Sequence, residues 1–232
     1  VYLLLTACGG AELQPLTLNA TPWGVGEIST YQITDVNGQA AGMGRFDILA
    51  GDAQSNPGGW SVRREIEAQG INEIVAVEMS TGLRPVISVL VRTAEAGQQV
   101  VKATYNSGQV DIELTSEQNV TTYERMNITS DARDGYVLLP VIRALPLQAG
   151  YATRINSFLP LVGLLETFTV EVVDSQDVTV PAGTFAVWEI KLRSNNYTTT
   201  LWISQQAPFP IVKFIDGRNQ GTFELTDFQP GE

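Results

Sequence analysis

Histidine is absent from this chain of 232 residues, and cysteine occurs once, at position 8. Without histidine there is no Ser-His or Cys-His dyad, no imidazole acid–base group, and none of the commonest neutral metal ligand. A single cysteine excludes an intramolecular disulfide and any thiolate zinc or iron–sulfur site. Positive charge is scarce as well: 14 Lys and Arg stand against 25 Asp and Glu, for a net charge of −11. That balance argues against nucleic acid, whose backbone needs a cationic footprint, and against polybasic docking onto anionic headgroups. Long apolar runs are missing too. The longest, Val137–Val141 and Leu159–Leu165, fall far short of the roughly 20 residues that a membrane-spanning helix needs. Gly42-Met43-Gly44 opens into no helix and is not a phosphate-binding fingerprint. These absences point to a protein that is not an enzyme and uses no cofactor or metal.

The amino-terminal residues are more telling. Val1–Ala7 is apolar except for Tyr2 and Thr6, and Leu5-Thr6-Ala7-Cys8 ends it, with Gly9-Gly10 following. LTAC resembles the lipobox of bacterial lipoproteins, in which the chain is cut before the cysteine and the thiol carries diacylglycerol. The competing reading of Cys8 is a small buried apolar residue. On the lipobox reading, residues 1–7 are the remnant of a lipoprotein signal peptide and lie outside the fold. Residues 8–26 are the lipidated cysteine and a tether that begins to dock near Trp23. Residues 27–232 form a single antiparallel β domain. The domain is then held at the extracytoplasmic face of a bacterial membrane by acyl chains, each buried methylene contributing roughly 0.8 kcal/mol.

From Glu27 onwards the chain reads as strand-length segments separated by turns. Ile28–Val36 and Gly44–Leu49 flank Asn37-Gly38, residues that accept positive φ. Trp60–Ala68, Glu73–Met79, Arg84–Thr93, Gln98–Tyr105 and Val110–Thr115 follow across short glycine turns. Val110, Ile112 and Leu114 alternate with Asp111 and Glu113, the period of a strand with one wet face. Later segments are Ala152–Phe158, Leu165–Val173, Val178–Val180, Thr184–Leu192, Tyr197–Ser204, Phe209–Ile215 and Gly221–Phe228. Pro181-Ala182-Gly183 sets one hairpin locally. Short connections predict an antiparallel meander, because parallel strands would need repeated crossover helices. Asp134–Leu147 differs: Leu138, Val141, Ile142 and Leu145 have i, i+3, i+4, i+7 spacing. This predicts one short helix, with Pro140 in its first turn and Pro146 near its end, covering a mouth or edge of the sheet.

The motifs Tyr123–Gly150, Val178–Leu192, Thr199–Ile215 and Gly221–Phe228, with an opening hairpin at Thr30–Leu49, extend this reading. Together they resemble an uncharacterised family of bacterial envelope proteins, domain of unknown function 3108. Its members are similar to the lipoprotein carriers LolA and LolB. The resemblance implies an incomplete antiparallel β-barrel, or strongly curved sheet, around an apolar cavity lidded by short helix. It implies no catalytic residue.

Strand alternation allows Phe168, Val170, Val172, Trp188 and Ile190 to face a common interior, but leaves open whether that interior is hollow or filled. Trp188 and Trp202 lie on facing strands. A hollow interior predicts an envelope lipoprotein that binds a lipid or other apolar ligand. A filled interior, with an exposed apolar patch at Ala207–Pro210 or Phe158–Leu165, predicts an accessory lipoprotein docking onto a membrane-protein partner. The acidic pairs Asp131/Asp134 and Asp174/Asp177 lack EF-hand spacing and read as solvated loops rather than calcium sites.

Overall fold

The computed structural model describes residues 11–218 and 220–232, so the expectations for Cys8 and residues 1–7 lie outside the described residues. A sixteen-stranded sheet dominates the structure. Its first nine strands are β1 (Leu13–Gln14), β2 (Glu27–Thr34), β3 (Ala40–Ala50), β4 (Trp60–Ala68), β5 (Ile71–Met79), β6 (Pro85–Ala94), β7 (Gly97–Asn106), β8 (Gln109–Thr115) and β9 (Thr121–Asn127). β10 (Arg133–Asp134) and the helix α1 (Leu138–Ile142) come next. β11 (Ala152–Leu159), β12 (Leu164–Val180), β13 (Gly183–Arg193), β14 (Thr198–Ser204), β15 (Ile211–Ile215) and β16 (Thr222–Gln229) complete the chain.

Two antiparallel meanders make up the sheet, β2 to β9 and β11 to β16, and they join where β16 pairs with β2. The first and last long strands therefore lie side by side in the middle of the sheet. Val25 and Glu232 exchange backbone hydrogen bonds of 3.2 and 3.0 Å just beyond that seam. The strand path ends at β9 on one side and at β1 on the other, so the barrel is incomplete. It nevertheless bends far enough for its two ends to meet across the 129–163 segment. Tyr105 of β7 contacts Phe158 of β11 edge-on, 6.4 Å between ring centroids, and its hydroxyl donates to Asp134 of β10 at 2.5 Å.

Local sequence explains most of these elements. In β2, residues EISTYQIT alternate buried and half-buried along the whole strand, as a period of two requires. Asp35 accepts the backbone N–H groups of Asn37 and Gln39 at 2.8 and 2.9 Å, and Gly38 takes φ 76°, which closes the first hairpin. Gln69 and Gly70 both adopt positive φ in the two-residue β4–β5 turn, the backbone that matches strand twist. Pro181-Ala182 forms the β12–β13 turn, with Gly183 already the first paired residue of β13.

Two expectations are corrected. Leu165–Val173 and Val178–Val180 are one seventeen-residue strand, β12, because a bulge at Val173 absorbs the break in alternation and pairing resumes at Asp174. Asp174 and Asp177 accordingly lie in a strand and not in a loop. Thr121–Asn127, which had no assigned element, is the edge strand β9; six of its seven residues are exposed, so it carries no apolar alternation to read. In the region 8–26, Leu13–Gln14 already pairs in parallel with Ala152–Thr153, and Trp23 is buried.

The helix is a five-residue turn and a half within Asp134–Leu147. Beyond it the chain tightens into i→i+3 bonds, Arg143 to Pro140, Ala144 to Val141 and Leu145 to Ile142, each 3.0 Å. The missing N–H of Pro140 and the stop at Pro146 keep it short. Leu138, Val141, Ile142 and Leu145 are all buried against the concave side of the sheet. One continuous core results, with an aromatic group at its centre: Tyr31 lies edge-on to Phe46 and Phe214, and Phe214 stacks on Phe223 at 4.1 Å.

Candidate ligand cavity

The interior is not filled throughout. A cavity of about 440 Å³ opens beside α1, between the β4–β5 hairpin and the loop after β15. Its deep wall is apolar: Phe46, Phe168, Leu192, Phe214 and Phe223 from the sheet, with Leu138 from the helix. All six are buried, so the wall is continuous with the core. Towards the outside Ile71 and Val162 border it and are 41% and 64% exposed, which marks an apolar mouth in contact with water. Gly163 ends the single 3₁₀ turn Pro160–Val162 in a left-handed conformation, φ 61°, and turns the chain back into β12 at that mouth.

Polar groups enter the cavity from three adjacent strands. Glu73 of β5 is paired directly opposite Arg92 of β6, while Arg64 comes from β4. Glu73 accepts from Arg64 through one oxygen and from Arg92 through the other, at 3.0 Å from Nε and 2.5 Å from Nη2. Burial pushes the Glu73 carboxyl upward, but the two guanidinium groups outweigh it and hold the carboxyl below its usual range. Arg64 also lies over the Tyr136 ring, 5.1 Å from its centroid, and its Nε is buried without a partner. Burial, reinforced by the charges of Asp134 and Glu73, raises the Tyr136 phenol well above its ordinary value. Across the opening, Arg218 donates to the Tyr197 hydroxyl at 3.0 Å and covers that ring at 5.1 Å.

Of the residues expected to face an interior, Phe168 borders the cavity. Val170, Val172 and Ile190 are buried in the core further along β12 and β13, away from the opening. Trp188 is half-buried beyond the bulge, opposite Ser175 and Ile203. Trp202 sits opposite Glu189, one step out of register with Trp188, and takes Lys213 over its ring at 5.7 Å. Ala207–Pro210 is largely engaged by Arg143, whose side chain donates to the carbonyls of Pro208 and Phe209 at 2.7 and 2.8 Å. In Phe158–Leu165, Phe158 and Leu159 are buried while Val162 and Leu164 are exposed.

Arg64, Glu73, Arg92, Tyr136 and Arg218 were not among the residues singled out from sequence. For Arg64, Glu73 and Arg92 the only signal was charge on neighbouring strands, visible once the register pairs Glu73 with Arg92, whereas Tyr136 and Arg218 lie in connecting segments and carried none. The carboxylates show no convergence on a cation. Both carboxylate oxygens of Asp131 accept from the Asn156 amide, at 3.1 and 3.0 Å. Asp134 is buried and occupied by Tyr105 and the Tyr136 N–H. Among the described residues no group of three or more His, Cys, Asp or Glu could hold a metal ion.

Fold and cavity together define a single-sheet, barrel-like protein with an apolar interior site opening past a short helix. The chain belongs to the DUF3108 family of proteins of unknown function, whose model matches residues 30–226. No curated protein matches it. Among solved structures, it is similar to a β-barrel-like protein of the DUF1849 domain of unknown function from Brucella abortus. The identity is 11% and the TM-score 0.58, over 90% of this chain and 98% of the other. That likeness establishes shared architecture. A candidate lipoprotein from Parabacteroides distasonis matches at 12% identity with a TM-score of 0.35, over 92% of this chain and 100% of the other.

Proposed function

We propose that this protein is a non-enzymatic envelope lipoprotein, anchored through Cys8 at the extracytoplasmic face of a bacterial membrane, whose barrel interior binds a lipid or other apolar ligand. The observation that carries the reading is the cavity. Its volume of about 440 Å³ lies within the range of small-molecule sites, and its wall of buried aromatic and aliphatic side chains suits hydrocarbon. The exposed Ile71 and Val162 at its mouth supply an apolar path inward. The anchor rests on the LTAC sequence, and it would hold this mouth close to a source of lipid.

A second reading has its own observation. Among the described residues β9 has no strand on its outer side, and Tyr123 within it is 76% exposed, so this edge offers itself for pairing with a protein partner. This edge supports the reading of an accessory lipoprotein that docks onto a membrane-protein complex.

One experiment separates the two. The Cys8→Ser protein, produced in a bacterial envelope and purified gently, is extracted with organic solvent and analysed by mass spectrometry alongside co-purifying proteins. A stoichiometric lipid in this form supports the cavity reading, because it cannot be the covalent anchor. Leu139 of α1 also borders the cavity, and filling the space with Leu139→Trp should then remove the lipid. A stoichiometric protein with no lipid overturns the cavity reading in favour of docking. Intact mass of the native membrane form should exceed the polypeptide mass by that of the acyl groups, and an unmodified Cys8 would refute the anchor.

A further inference from the structure

The polar groups of the cavity are unevenly charged, and the excess is of the sign that the rest of the chain lacks. Arg64, Arg92 and Arg218 border it against Glu73 and Asp216, in a protein with a net charge of −11. Arg64 and Arg92 share the single carboxylate of Glu73. One negative charge is thus divided between two guanidinium groups whose side chains are only 19% and 35% exposed. Asp134 is buried nearby and is felt by Arg64 through space, but its oxygens accept from the Tyr105 hydroxyl and the Tyr136 backbone and it forms no salt bridge with Arg64. Arg64 Nε remains a buried donor with no acceptor. A purely apolar ligand would cover these donors and satisfy none of them, which costs free energy. An anion would complete them through short, charge-assisted bonds in a site partly shielded from water.

Resting on the reading of the cavity as a ligand site, we propose that its ligand is a single-chain amphiphile with an anionic head, a carboxylate or a phosphate. The chain lies along Phe168, Leu192, Phe214 and Phe223, and Arg64 and Arg92 take the head. The volume is in the lower half of the range for drug-sized ligands, which suits one hydrocarbon chain.

The test uses delipidated Cys8→Ser protein and three probes with the same sixteen-carbon chain: palmitate, hexadecyl phosphate and hexadecanol. Each is titrated calorimetrically at low salt, below its aggregation threshold. At least one anion should bind about tenfold or more tighter than the alcohol, as expected for a hydrogen bond to an ionised partner. The tighter anion distinguishes a fatty-acid from a phospholipid-like head. Arg92→Gln should pull the anion-to-alcohol ratio towards one. Glu73→Gln, which removes the competing carboxylate, should raise it. Circular dichroism and the urea midpoint check that each variant is folded, and the opposite sign for Glu73→Gln cannot arise from general destabilisation. Equal affinity for all three probes overturns the anionic head while leaving the cavity as an apolar site. No binding of any probe overturns the cavity reading itself.

Discussion

Replacing Arg143 by methionine removes four hydrogen bonds from the point where the helix, the first long strand and the β14–β15 loop converge. Arg143 donates to both oxygens of Glu27, at 2.5 and 3.0 Å, and to the carbonyls of Phe209 and Pro208, at 2.8 and 2.7 Å. Its guanidinium also lies 5.5 Å from the Trp23 ring. The two ionised side chains are 4% and 2% exposed, so solvent screens little of the loss. Methionine keeps most of the volume but leaves the Glu27 carboxylate buried and unpaired. Removing one partner of such a pair costs about 3–5 kcal/mol, a large share of a domain's stability of about 5–15 kcal/mol. The assay is urea unfolding followed by tryptophan fluorescence, with the midpoint converted through an unchanged slope. The control is the double variant Arg143→Met/Glu27→Leu, which removes the stranded charge together with its partner. It should be more stable than Arg143→Met alone by about 2 kcal/mol. Full recovery is not expected, because the Pro208 and Phe209 carbonyls still lose their donor. A cost below about 1 kcal/mol for Arg143→Met, or a double variant no more stable than the single, would refute a buried and functionally intact ion pair.

Two further predictions concern the same side of the barrel. Leu138→Ala and Leu145→Ala should each destabilise by about 2–5 kcal/mol in the same unfolding assay, since both side chains are buried in the core. Asp134→Asn should change how stability depends on pH. Burial raises the Asp134 carboxyl above its ordinary value of 3.8, despite the Tyr105 hydroxyl and Tyr136 N–H that favour its charge. Its contribution to stability is therefore full below that ordinary value and declines as pH rises through the folded value. Unfolding curves collected upward from acid should lose this decline in the asparagine variant, and an unchanged profile would count against it. Glu73, held low by Arg64 and Arg92, has the opposite sign: its contribution is present above 4.5 and is lost as pH falls through the folded value.

Alternation and turn chemistry alone determined the class of fold. EISTYQIT in β2 and QVDIELT in β8 can each bury only one side, and Asp35-Val36-Asn37-Gly38 and Gln69-Gly70 can only reverse the chain. The absence of histidine and of a second cysteine rules out imidazole chemistry and an intramolecular disulfide in this sequence. The run of Leu138, Val141, Ile142 and Leu145 located the α-helix found among the described residues, because 3.6-residue spacing is a property of the chain itself, though the helix ends at Ile142. Tertiary structure decided what no local pattern encodes. β9 leaves no pattern in the sequence because an exposed edge strand has no buried face, and β12 reads as two segments because a bulge at Val173 shifts the alternation by one residue. The cavity likewise depends on how far the sheet bends and on where α1 stops, which are outcomes of packing among residues more than a hundred positions apart. Alternation could list Phe168, Val170, Val172, Trp188 and Ile190 as inward-facing, but only the folded geometry separates Phe168, at the opening, from Val170, Val172 and Ile190 in the filled core and from the half-buried Trp188. Register, set across three strands, brings Arg64 and Arg92 onto one carboxylate, and so puts paired cations inside an acidic protein.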